Sequence, residues 1–238
     1  MKTRDELLRR PERRDLLVSW MGLVGQYQDP VFLVNRYNEI ITVNKPALRL
    51  IRQEKSKILG KKINVFEGTI IDLEEIDSKK EALENIGYFR CYSLLKIKKN
   101  KEYLTELTIN RLPLRNDDYC YLYQFAIEEK RNIGDYKDVV KLKNEIYMNI
   151  AINEINKLER ITNIPYRRIL KLFILFEGIT PKQYLNRMKL KKCKEMVGEG
   201  KYSFKEIAYE LGFFDVSHLS NFFKEKTSLT LNEYKNSF

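Results

Sequence analysis

Histidine is almost missing from this chain, which has one, His218, among its 238 residues. Ser-His-Asp and Cys-His catalysis would both have to use that residue, and metal sites built from several histidines are excluded. The three cysteines, Cys91, Cys120 and Cys193, form neither a CxxC pair nor a Cys/His cluster. We therefore expect them to be small apolar residues in a reducing compartment, rather than disulfide partners or zinc ligands.

Long apolar runs and low-complexity segments are also missing, and glycine and proline are few, at 10 and 6 residues. The N-terminal stretch MKTRDELLRRPERRDLL lacks the apolar core of a secretory signal, and no later run approaches the ~20 apolar residues of a membrane span. We expect a cytoplasmic protein without a membrane partner. With 43% hydrophobic residues, the chain can form one large domain or two modest ones.

Acidic residues are scarce in one region of this chain, whose formal net charge is +11. Between residues 157 and 194 there are eleven basic residues and two acidic ones, Glu159 and Glu177, a local net charge of +9. A solvated charged face is the alternative explanation, but such faces usually mix the two signs. The concentration of one sign favours an anionic partner, and nucleic acid in particular.

The first half of the chain has the pattern of strands. VFLVN and IITVN flank the turn RYNE and predict a hairpin. KPALRLIRQ predicts a short helix, and DLEEIDSKKEALENIG a second one that ends at Gly87. Three further strands are predicted at YFRCYSLLKIKK, EYLTELTINRLPL and YCYLYQFAIEE. In the last of them, alternation puts five apolar or aromatic residues on one face: Tyr119, Tyr121, Tyr123, Phe125 and Ile127.

The stretch DPVFLVNRYNEIITVNKPALRLI, in which two strands lead to Asn44 at the start of a helix, resembles a PAS domain. The resemblance covers about residues 21–130 and implies a domain that senses a small ligand, dimerises, or does both. No histidine lies in this half, so a His-ligated haem is excluded there, and neither of its cysteines has the sequence context of flavin photosensors. We expect no required cofactor and leave a small-molecule ligand open. Phe89, Cys91 and Leu95 are expected to be core residues rather than ligand contacts.

After Glu128 the sequence reads as helices and short turns. An apolar stripe at helical spacing predicts a helix, and its two or three turns leave both a core face and a coiled coil open: Val139, Leu142, Ile146 and Ile150. Further on, YSFKEIAYELGFFDVSHLSNFFKEK predicts two helices joined by a turn. Ser203 and Glu206 have the spacing of a capping box, Gly212 supplies a left-handed helix end, and Asp215 caps the second helix.

The second helix of this pair has two unlike faces. Leu219, Phe222 and Phe223 point one way at 100° per residue, whereas short polar side chains and one lysine point the other way. An ordinary amphipathic hairpin would have the same polar face, but these groups also suit base edges and phosphates in a major groove. The predicted DNA contacts of this helix are Ser217, His218, Ser220, Asn221 and Lys224. We interpret His218 as a border residue of the two faces, not as a catalytic or metal-binding group.

FKEIAYELGFFDVSHLSNFFKEKTSLTLNEY is similar to the second helix-turn-helix of the AraC/XylS-type transcriptional regulators. The matching positions are Ile207-Ala208, Gly212-Phe213, Ser217, Phe223-Lys224, Thr230 and Tyr234. The preceding GITPKQYLNRMKLKKCKEMV resembles the linking helix of that family, and together the segments span about residues 140–238. Asn221 replaces a common arginine, which favours adenine over guanine as the base read. Ser228 and Leu231 replace the usual glycine and proline, so the geometry of the final turn is an open question.

The resemblance implies a first helix-turn-helix unit in INKLERITNIPYRRILKLFILFEG. Its buried stripe is predicted to consist of Ile169, Leu172, Phe173 and Phe176. Arg167, Arg168 and Lys171 are the predicted DNA contacts of this unit. Three apolar residues are expected to be exposed where the family tends to be polar: Leu170, Ile174 and Leu175. Packing on a neighbouring helix, contact with thymine methyl groups and docking on the PAS-like half all stay open for them.

The linking helix carries the predicted phosphate contacts, Arg187, Lys191 and Lys192. Lys189 and Lys194 lie among them and are expected either to neutralise phosphates or to remain solvated. From Pro181 to Val197 a continuous helix would be about 25 Å long at ~1.5 Å per residue. That length lets two recognition helices enter successive turns of the major groove, ~34 Å apart.

These observations predict an α+β PAS-like domain, with a five-stranded antiparallel sheet and short helices, followed by an all-α domain of two helix-turn-helix units joined by a long helix. The predicted segments are an N-terminal helical segment (1–20), the PAS-like domain (21–130), a helical linker (131–145) and the DNA-binding domain (146–238). The predicted function is non-enzymatic, sequence-specific transcription regulation through double-stranded promoter DNA, without metal or catalytic residues.

The resemblance further implies a homodimer, RNA polymerase as a partner, and activation rather than repression. A signalling adaptor whose helical domain binds a protein is the alternative function. An enzyme comes third, because the sequence has no phosphate-binding loop, nucleophile–base pair or metal cluster.

Overall fold

The computed structural model describes residues 11–68, 72, 79, 82–97, 101–114, 118–152, 155 and 157–237. The chain forms two compact units. We call Met1–Ile71 with Glu75–Gly134 the sheet unit, and Asp72–Glu74 with Asp135–Phe238 the helical unit.

The sheet unit contains five antiparallel strands in the order β2-β1-β5-β4-β3. They are β1 (Val31–Asn35), β2 (Ile40–Val43), β3 (Tyr88–Ile97), β4 (Lys101–Pro113) and β5 (Tyr119–Ile127). The first strand pairs with the last, from Val31 opposite Gln124 to Asn35 opposite Cys120, and so joins the two hairpin groups into one sheet. Two short helices, α2 (Lys45–Ile51) and α3 (Lys55–Ile58), and a 3-10 turn (Ile63–Phe66) follow β2. The predicted PAS-like fold is confirmed.

Two asparagines stabilise the turn between β1 and β2. The Asn35 side-chain oxygen accepts hydrogen bonds from the backbone N–H groups of Tyr37 and Glu39, both at 2.9 Å. Asn38 takes a left-handed conformation with φ of 63°. Asparagine tolerates this conformation better than most residues, so RYNE forms the predicted turn between β1 and β2.

Asn44 connects the hairpin to the helix that follows. Its side-chain oxygen accepts hydrogen bonds from the N–H of Ala47 at 3.0 Å and of Val31 at 3.1 Å, and its amide donates to the Asp29 carbonyl at 2.7 Å. One buried amide thus caps α2 and fixes the start of β1, and the predicted helix start at Asn44 is confirmed.

The inner face of the sheet packs against α2, α3 and the 3-10 turn. Phe32 is fully buried, with its ring centroid 5.4 Å from that of Phe66 and 5.7 Å from that of Phe125. Leu95 is buried in this core, and Phe89 and Cys91 are partly buried against it. The prediction that Phe89, Cys91 and Leu95 are core residues is confirmed.

The outer face of the sheet is covered by α1 (Pro11–Val24), which the sequence predicted only as a helical segment. Leu17 and Val24 of α1 pack with Leu33, Cys120 and Leu122 of the strands in a second core. Trp20 packs on the same core and donates from Nε1 to the Pro113 carbonyl at 3.3 Å. Burial raises the pKa of the Cys120 thiol to about 12, so this cysteine is an unreactive core residue.

The helical unit contains seven of the described helices, as the all-α prediction requires. They are α4 (Ile133–Met148), α5 (Lys157–Thr162), α6 (Tyr166–Glu177), α7 (Pro181–Glu199), α8 (Phe204–Glu210), α9 (Val216–Thr227) and α10 (Leu231–Lys235). None of the helices in the described ranges is long and apolar enough to cross a membrane.

Helix α4 covers most of the segment 131–145, which the sequence assigned to a helical linker, and continues to Met148. Val139, Leu142 and Ile146 are fully buried, as the predicted stripe requires, and Ile150 is partly buried just beyond the helix. From Asp135 onward the chain groups with the helical unit, so α4 packs as the first helix of that unit. The boundaries of the domains stay a prediction.

Helix α4 also buries a cation that the sequence did not single out. The ammonium group of Lys143 lies 2.5 Å from a carboxylate oxygen of Asp72 and 3.0 Å from one of Glu177. The Lys143 residue is only 2% exposed. All three residues belong to the helical unit, so this buried ion cluster is part of its interior.

The predicted helix DLEEIDSKKEALENIG lies mostly outside the described residues. Its last turn is described: residues 82–85 are helical, and the Gly87 N–H donates to the Ala82 carbonyl at 3.0 Å. Gly87 has φ of 76°, which confirms the predicted helix end at this glycine.

Candidate nucleic-acid interface

The second helix-turn-helix begins with the predicted capping box. Ser203 Oγ accepts from the Glu206 N–H at 3.2 Å, and a Glu206 carboxylate oxygen accepts from the Ser203 N–H at 2.7 Å. The Ser203 N–H and hydroxyl group both donate to the Glu206 carboxylate, which lowers the pKa of Glu206. Both partners thereby satisfy N–H groups at the start of α8, which has only two turns of its own.

The turn after α8 depends on Gly212, whose φ is 69°. The Phe213 N–H donates to the Ala208 carbonyl at 2.8 Å, which closes the end of the helix. A Cβ atom on Gly212 would lie 2.9 Å from the Ala151 carbonyl carbon and closer still to its oxygen. A glycine is therefore required at this position for two reasons: the left-handed backbone conformation and the close approach of the Ala151 backbone.

Helix α9 is held by the side opposite its polar face. Asp215 caps it by accepting from the His218 N–H at 2.7 Å. Leu219 and Phe223 are fully buried in a core that also contains Ile207 and Leu211. The predicted cap and the predicted buried face are both present. Together they fix the orientation of α9 within the second helix-turn-helix.

The other side of α9 presents the predicted contact residues. Ser217, His218, Asn221 and Lys224 are exposed, and Ser220 is half-buried. Ser217, Asn221 and Lys224 are spaced i, i+4 and i+7 and therefore share one stripe, which presents a hydroxyl, an amide and an ammonium group. The structure brings these side chains to one surface, and their contact with DNA stays a prediction.

His218 stands at the edge of this surface against an aromatic ring. Its ring centroid lies 5.2 Å from that of Phe213 in an edge-to-face arrangement. Phe213 in turn lies 5.0 Å from Phe222. In the part of the chain that the structure describes, no group of three or more His, Cys, Asp or Glu side chains is placed to hold a metal ion.

The final turn keeps its geometry despite the two replacements there. Ser228 ends α9 in a left-handed conformation with φ of 62°, where the family usually has glycine. Thr230 forms a capping box with Glu233, and Leu231, in the usual place of proline, is 2% exposed and packs in the core. Ser228 and Leu231 therefore do not disrupt the final turn, because α10 forms directly after it.

The first helix-turn-helix unit consists of α5 and α6. Ile169, Leu172 and Phe173 of α6 are buried, and Phe176 is half-buried with its ring centroid 5.6 Å from that of Tyr136. Gly178 ends the helix at φ of 69°. The predicted buried stripe is therefore confirmed.

The outward face of α6 mixes cations with apolar side chains. Arg167 and Lys171 are exposed, and no ion pair or hydrogen bond to either side chain is found within the described ranges. Ile174 is 50% exposed, and Leu175 is 39% exposed. Leu170 is half-buried, so of the three apolar residues expected on the surface, two are exposed.

Arg168 has an intramolecular role that the sequence did not predict. Its guanidinium group donates to Asp138 at 2.7 Å and to Asp135 at 3.1 Å, both on α4. The predicted contact with DNA would have to compete with these two carboxylates. Arg167, one residue earlier, has no such carboxylate partners within the described ranges. The two arginines are therefore a matched pair for mutagenesis.

Helix α7 connects the first helix-turn-helix to the second and begins with a capping box between Thr180 and Gln183. The predicted phosphate contacts on it differ in their surroundings. Arg187 stacks on Tyr184 at 4.9 Å and lies 3.8 Å from Glu177, and Lys192 pairs with Glu195 at 3.2 Å. Lys191 is half-buried. The ion pairs of Arg187 and Lys192 lie at or near the surface, so a DNA phosphate can replace Glu177 or Glu195 as the partner at small cost in free energy.

Lys189 corrects the expectation that every lysine of α7 is solvated or meets phosphate. It is 5% exposed, and its ammonium group lies 5.1 Å from the centre of the Phe213 ring. Burial lowers the pKa of Lys189 to about 8. The run of basic residues did not predict that Lys189 is buried. Its burial results from contact with Phe213, in the turn of the second helix-turn-helix, which is distant along the chain.

Sequence reasoning also missed an exposed aromatic residue at the interface. Phe214 lies in the turn directly before α9 and is 93% exposed. Tyr209 of α8 is 81% exposed. The sequence offered one signal, the doubled phenylalanine after Gly212, because only the first of the pair has a place in the core.

Comparison with known proteins agrees with this geometry. A family model described as a helix-turn-helix domain matches residues 158–237. The HTH-type transcriptional activator RhaS of Salmonella arizonae is 41% identical over 49 residues, which are 21% of this chain and 18% of the relative. The RhaS proteins of Salmonella newport and Salmonella agona match equally. The chain therefore matches less than a fifth of the length of these relatives.

Two solved structures resemble separate parts of the chain. A PAS domain from Colwellia psychrerythraea is 21% identical and aligns over 49% of this chain and 100% of its own, with a TM-score of 0.42. An AraC-type transcriptional regulator from Chromobacterium violaceum is 18% identical and aligns over 44% of this chain and 96% of its own, with a TM-score of 0.40. Residues 158–237 of this chain form a helix-turn-helix domain.

Proposed function

We propose that this chain is a sequence-specific DNA-binding transcription regulator whose two helix-turn-helix units read one promoter site. The observation that carries the proposal is the polar face of α9, held outward by a helix whose opposite side is fully buried. Serine, asparagine and lysine side chains on such a face suit base edges and phosphates. The local charge of +9 between residues 157 and 194 suits the DNA backbone.

The length of α7 supports the use of both units on one duplex. Its 19 residues span about 28 Å at ~1.5 Å per residue. Successive major-groove turns on one side of B-DNA are ~34 Å apart. We therefore expect a binding site with two half-sites about one helical turn apart.

The sheet unit is proposed to receive a signal or to dimerise, as its PAS-like fold suggests. The three RhaS relatives are named transcriptional activators, which favours activation. RNA polymerase is proposed as a partner from the resemblance to the AraC/XylS-type regulators. The proposed cellular location is the cytoplasm, where promoter DNA is found in bacteria. The unidentified ligand, the homodimer and the direction of regulation belong to this proposal.

The first test is selection of binding sites from a random duplex pool, followed by gel shifts with point variants. Asn221→Ala is expected to lose discrimination at one base pair by about 5- to 150-fold, because one amide–base pairing is worth ~1–3 kcal/mol. Arg167→Ala is expected to lower affinity strongly, whereas Arg168→Ala changes it little, since Arg168 pairs with Asp135 and Asp138.

Lys191→Ala serves as the control for phosphate contacts in the same experiment. It should weaken binding to all sequences alike and reduce the slope of log affinity against log salt by about 1. A pool in which no sequence is enriched, with every variant binding like the wild type, would contradict the proposal.

The exposed apolar residues of α6 have a candidate partner within this function. Arg167, Lys171 and Ile174 are spaced i, i+4 and i+7, so Ile174 lies on the same stripe as two cations. A half-exposed isoleucine beside such cations suits the methyl group of thymine, which marks this base in the major groove.

Uracil in place of thymine tests this contact, because the two bases differ in that methyl group alone. At one position of the selected site, the thymine-to-uracil change should weaken wild-type binding several-fold and leave Ile174→Ala binding unchanged. Equal losses for both proteins would remove the thymine contact. Retained DNA affinity in Ile174→Ala together with loss of a protein partner would favour the alternative function, a signalling adaptor.

A further inference from the structure

The sheet unit carries a second basic segment, separate from the one in the helical unit. Residues 45–62 contain seven basic residues and one acidic residue, Glu54, a local net charge of +6. The segment covers α2, α3 and the turn that leads to the 3-10 helix. All seven cations are exposed: Lys45, Arg49, Arg52, Lys55, Lys57, Lys61 and Lys62.

Three of these cations belong to α2. Lys45 and Arg49 are spaced i, i+4 and share one face of the helix, and Arg52 follows as its C-terminal cap. Ala47 and Ile51 of the same helix are fully buried in the inner core, so the cations lie on the opposite, outward side. We call Lys45, Arg49 and Arg52 the basic stripe. Within the described residues, no ion pair or hydrogen bond to any of these three side chains is found.

Two other lysines of the segment have acidic partners. The ammonium group of Lys57 lies 3.3 Å from a carboxylate oxygen of Glu54, and that of Lys62 lies 3.6 Å from one of Glu39. Part of the positive charge around α3 is therefore offset within the unit, whereas that of the basic stripe is not.

The backbone of Arg52 is an independent observation. Its φ of 51° and ψ of 46° lie in the left-handed region, which is unfavourable for an arginine and which glycine adopts freely at a helix end. The other described non-glycine residues with positive φ have short polar side chains: Asn38, Asn163 and Ser228. Unfavourable backbone conformations cluster at functional positions, so the long cation at this helix end indicates that its charge is used.

The basic stripe suits nucleic acid better than a membrane or a protein. A helix that binds a bilayer inserts its apolar face, but Ala47 and Ile51 already pack in the core. Protein interfaces are depleted in lysine and centred on apolar anchors, whereas five of the seven cations of the segment are lysines. Duplex DNA presents one phosphate charge per ~1.7 Å of its axis and binds lysine and arginine by charge alone.

We propose that the basic stripe of α2 contacts the phosphate backbone of the duplex that the helix-turn-helix units read. This contact rests on the proposed function and deepens it, because it gives the sheet unit a part in holding the promoter. It reads no bases, so it adds affinity and salt dependence without adding sequence preference. Because both units are on one chain, the contact becomes intramolecular once the helical unit has bound.

A salt series of DNA-binding measurements with the full chain tests this contact. The stripe variant combines Lys45→Ala, Arg49→Ala and Arg52→Gly. The labelled duplex carries the selected site with two helical turns, about 20 base pairs, on either side. Each phosphate contact contributes ~0.9 to the slope of log affinity against log salt, so the stripe variant should have a slope shallower by about 2–3. A scrambled duplex should show the same reduction, which leaves the preference for the selected site unchanged.

A second triple variant removes the same charge from another surface of the sheet unit. It combines Arg90→Ala on β3, Lys101→Ala on β4 and Lys130→Ala after β5. Helix α2 packs against β1, on the other side of the sheet from β3. This control should keep the slope of the wild type. Equal slopes for the stripe variant and the wild type would overturn the proposal, and so would equal reductions in both triple variants, because net charge alone would then explain them.

Arg52→Gly on its own separates DNA binding from folding. Glycine removes the unfavourable backbone conformation, so the melting temperature should stay at or above that of the wild type. The salt slope should nevertheless become shallower by about 1, as expected for one lost phosphate contact. An unchanged slope would remove Arg52 from the stripe and overturn the inference from its backbone.

Vesicles of phosphatidylserine test the other anionic surface. A stripe variant that binds DNA like the wild type but loses a vesicle binding that the wild type has would make a membrane the partner and refute the DNA contact. Failure of the proposed function is distinguishable from failure of this contact. A wild type without preference for the selected site contradicts sequence-specific recognition, and the slopes on the scrambled duplex still decide whether the stripe contacts DNA.

Discussion

Gly212→Ala is expected to destabilise the helical unit by about 2–5 kcal/mol. An alanine held in the left-handed region costs ~1–2 kcal/mol, and forcing its methyl group against a packed neighbour adds ~1–3 kcal/mol. The neighbour is the Ala151 backbone, whose carbonyl carbon and Cα would both lie 2.9 Å from the new Cβ. Since backbone cannot move aside as a flexible side chain does, the turn between α8 and α9 must shift, and DNA binding should fall with it.

Gly200→Ala is the matched control for this change. Gly200 ends α7 with φ of 67°, almost the value of Gly212, but no atom of the described residues lies within 4 Å of the place that an alanine methyl group would take there. Gly200→Ala therefore has the conformational cost alone, about 1–2 kcal/mol. Urea denaturation followed by helical circular dichroism compares the two variants. Equal free energies of unfolding for both would show that the contact with Ala151 does not matter.

Lys143→Met is expected to cost about 3–5 kcal/mol, the range measured when one partner of a buried ion pair is removed. Without the ammonium group, the carboxylates of Asp72 and Glu177 face each other in a site where both are largely buried. Glu177 keeps Arg187 at 3.8 Å, but that arginine is half-exposed and cannot replace a buried cation.

The same chain offers a control and a rescue for the lysine variant. Lys141→Met lies two residues earlier on α4 and is exposed, so it should change stability by less than about 0.5 kcal/mol. Adding Asp72→Asn and Glu177→Gln to Lys143→Met removes both negative charges and should recover most of the loss. Thermal denaturation of the four proteins measures these differences. A triple variant no more stable than Lys143→Met would contradict the ion cluster as the cause.

The second helix-turn-helix was the part most accessible to sequence reasoning, because its signals are local. Ser203 and Asp215 act within four residues of themselves as helix caps, and the left-handed conformation of Gly212 is equally local, although its contact with Ala151 is not. The alternation of Leu219 and Phe223 with polar residues then fixes which face is buried. Local chemistry of this kind is fully contained in a short stretch of sequence.

The surroundings of the cations could not be predicted in the same way. Arg168, Lys143 and Lys189 belong to charged stretches that look alike in sequence, yet the first pairs with α4 and the other two are buried. Each outcome depends on a contact with a segment distant along the chain. Hydrophobic periodicity predicts which face of a helix is covered, but not which charge happens to lie at its edge.

The sheet shows the same division between local and distant information. The strands and the hairpin turn were predicted from alternation and from turn residues, whereas the order β2-β1-β5-β4-β3 was not. Cys120 and Leu122 alternate with the tyrosines of β5, and the sequence indicated no partner for the face on which they lie. They are buried because α1 covers that face, a contact made across about a hundred residues of chain.

The position of Trp20 gives the chain a built-in spectroscopic label. It is the one tryptophan of the sequence, and it packs against the outer core of the sheet unit. Its emission therefore reports the state of that unit, against a helical unit that contributes no tryptophan signal. A signal molecule taken up by the sheet unit should shift the emission of the unmodified protein, so candidate ligands can be screened without any attached dye.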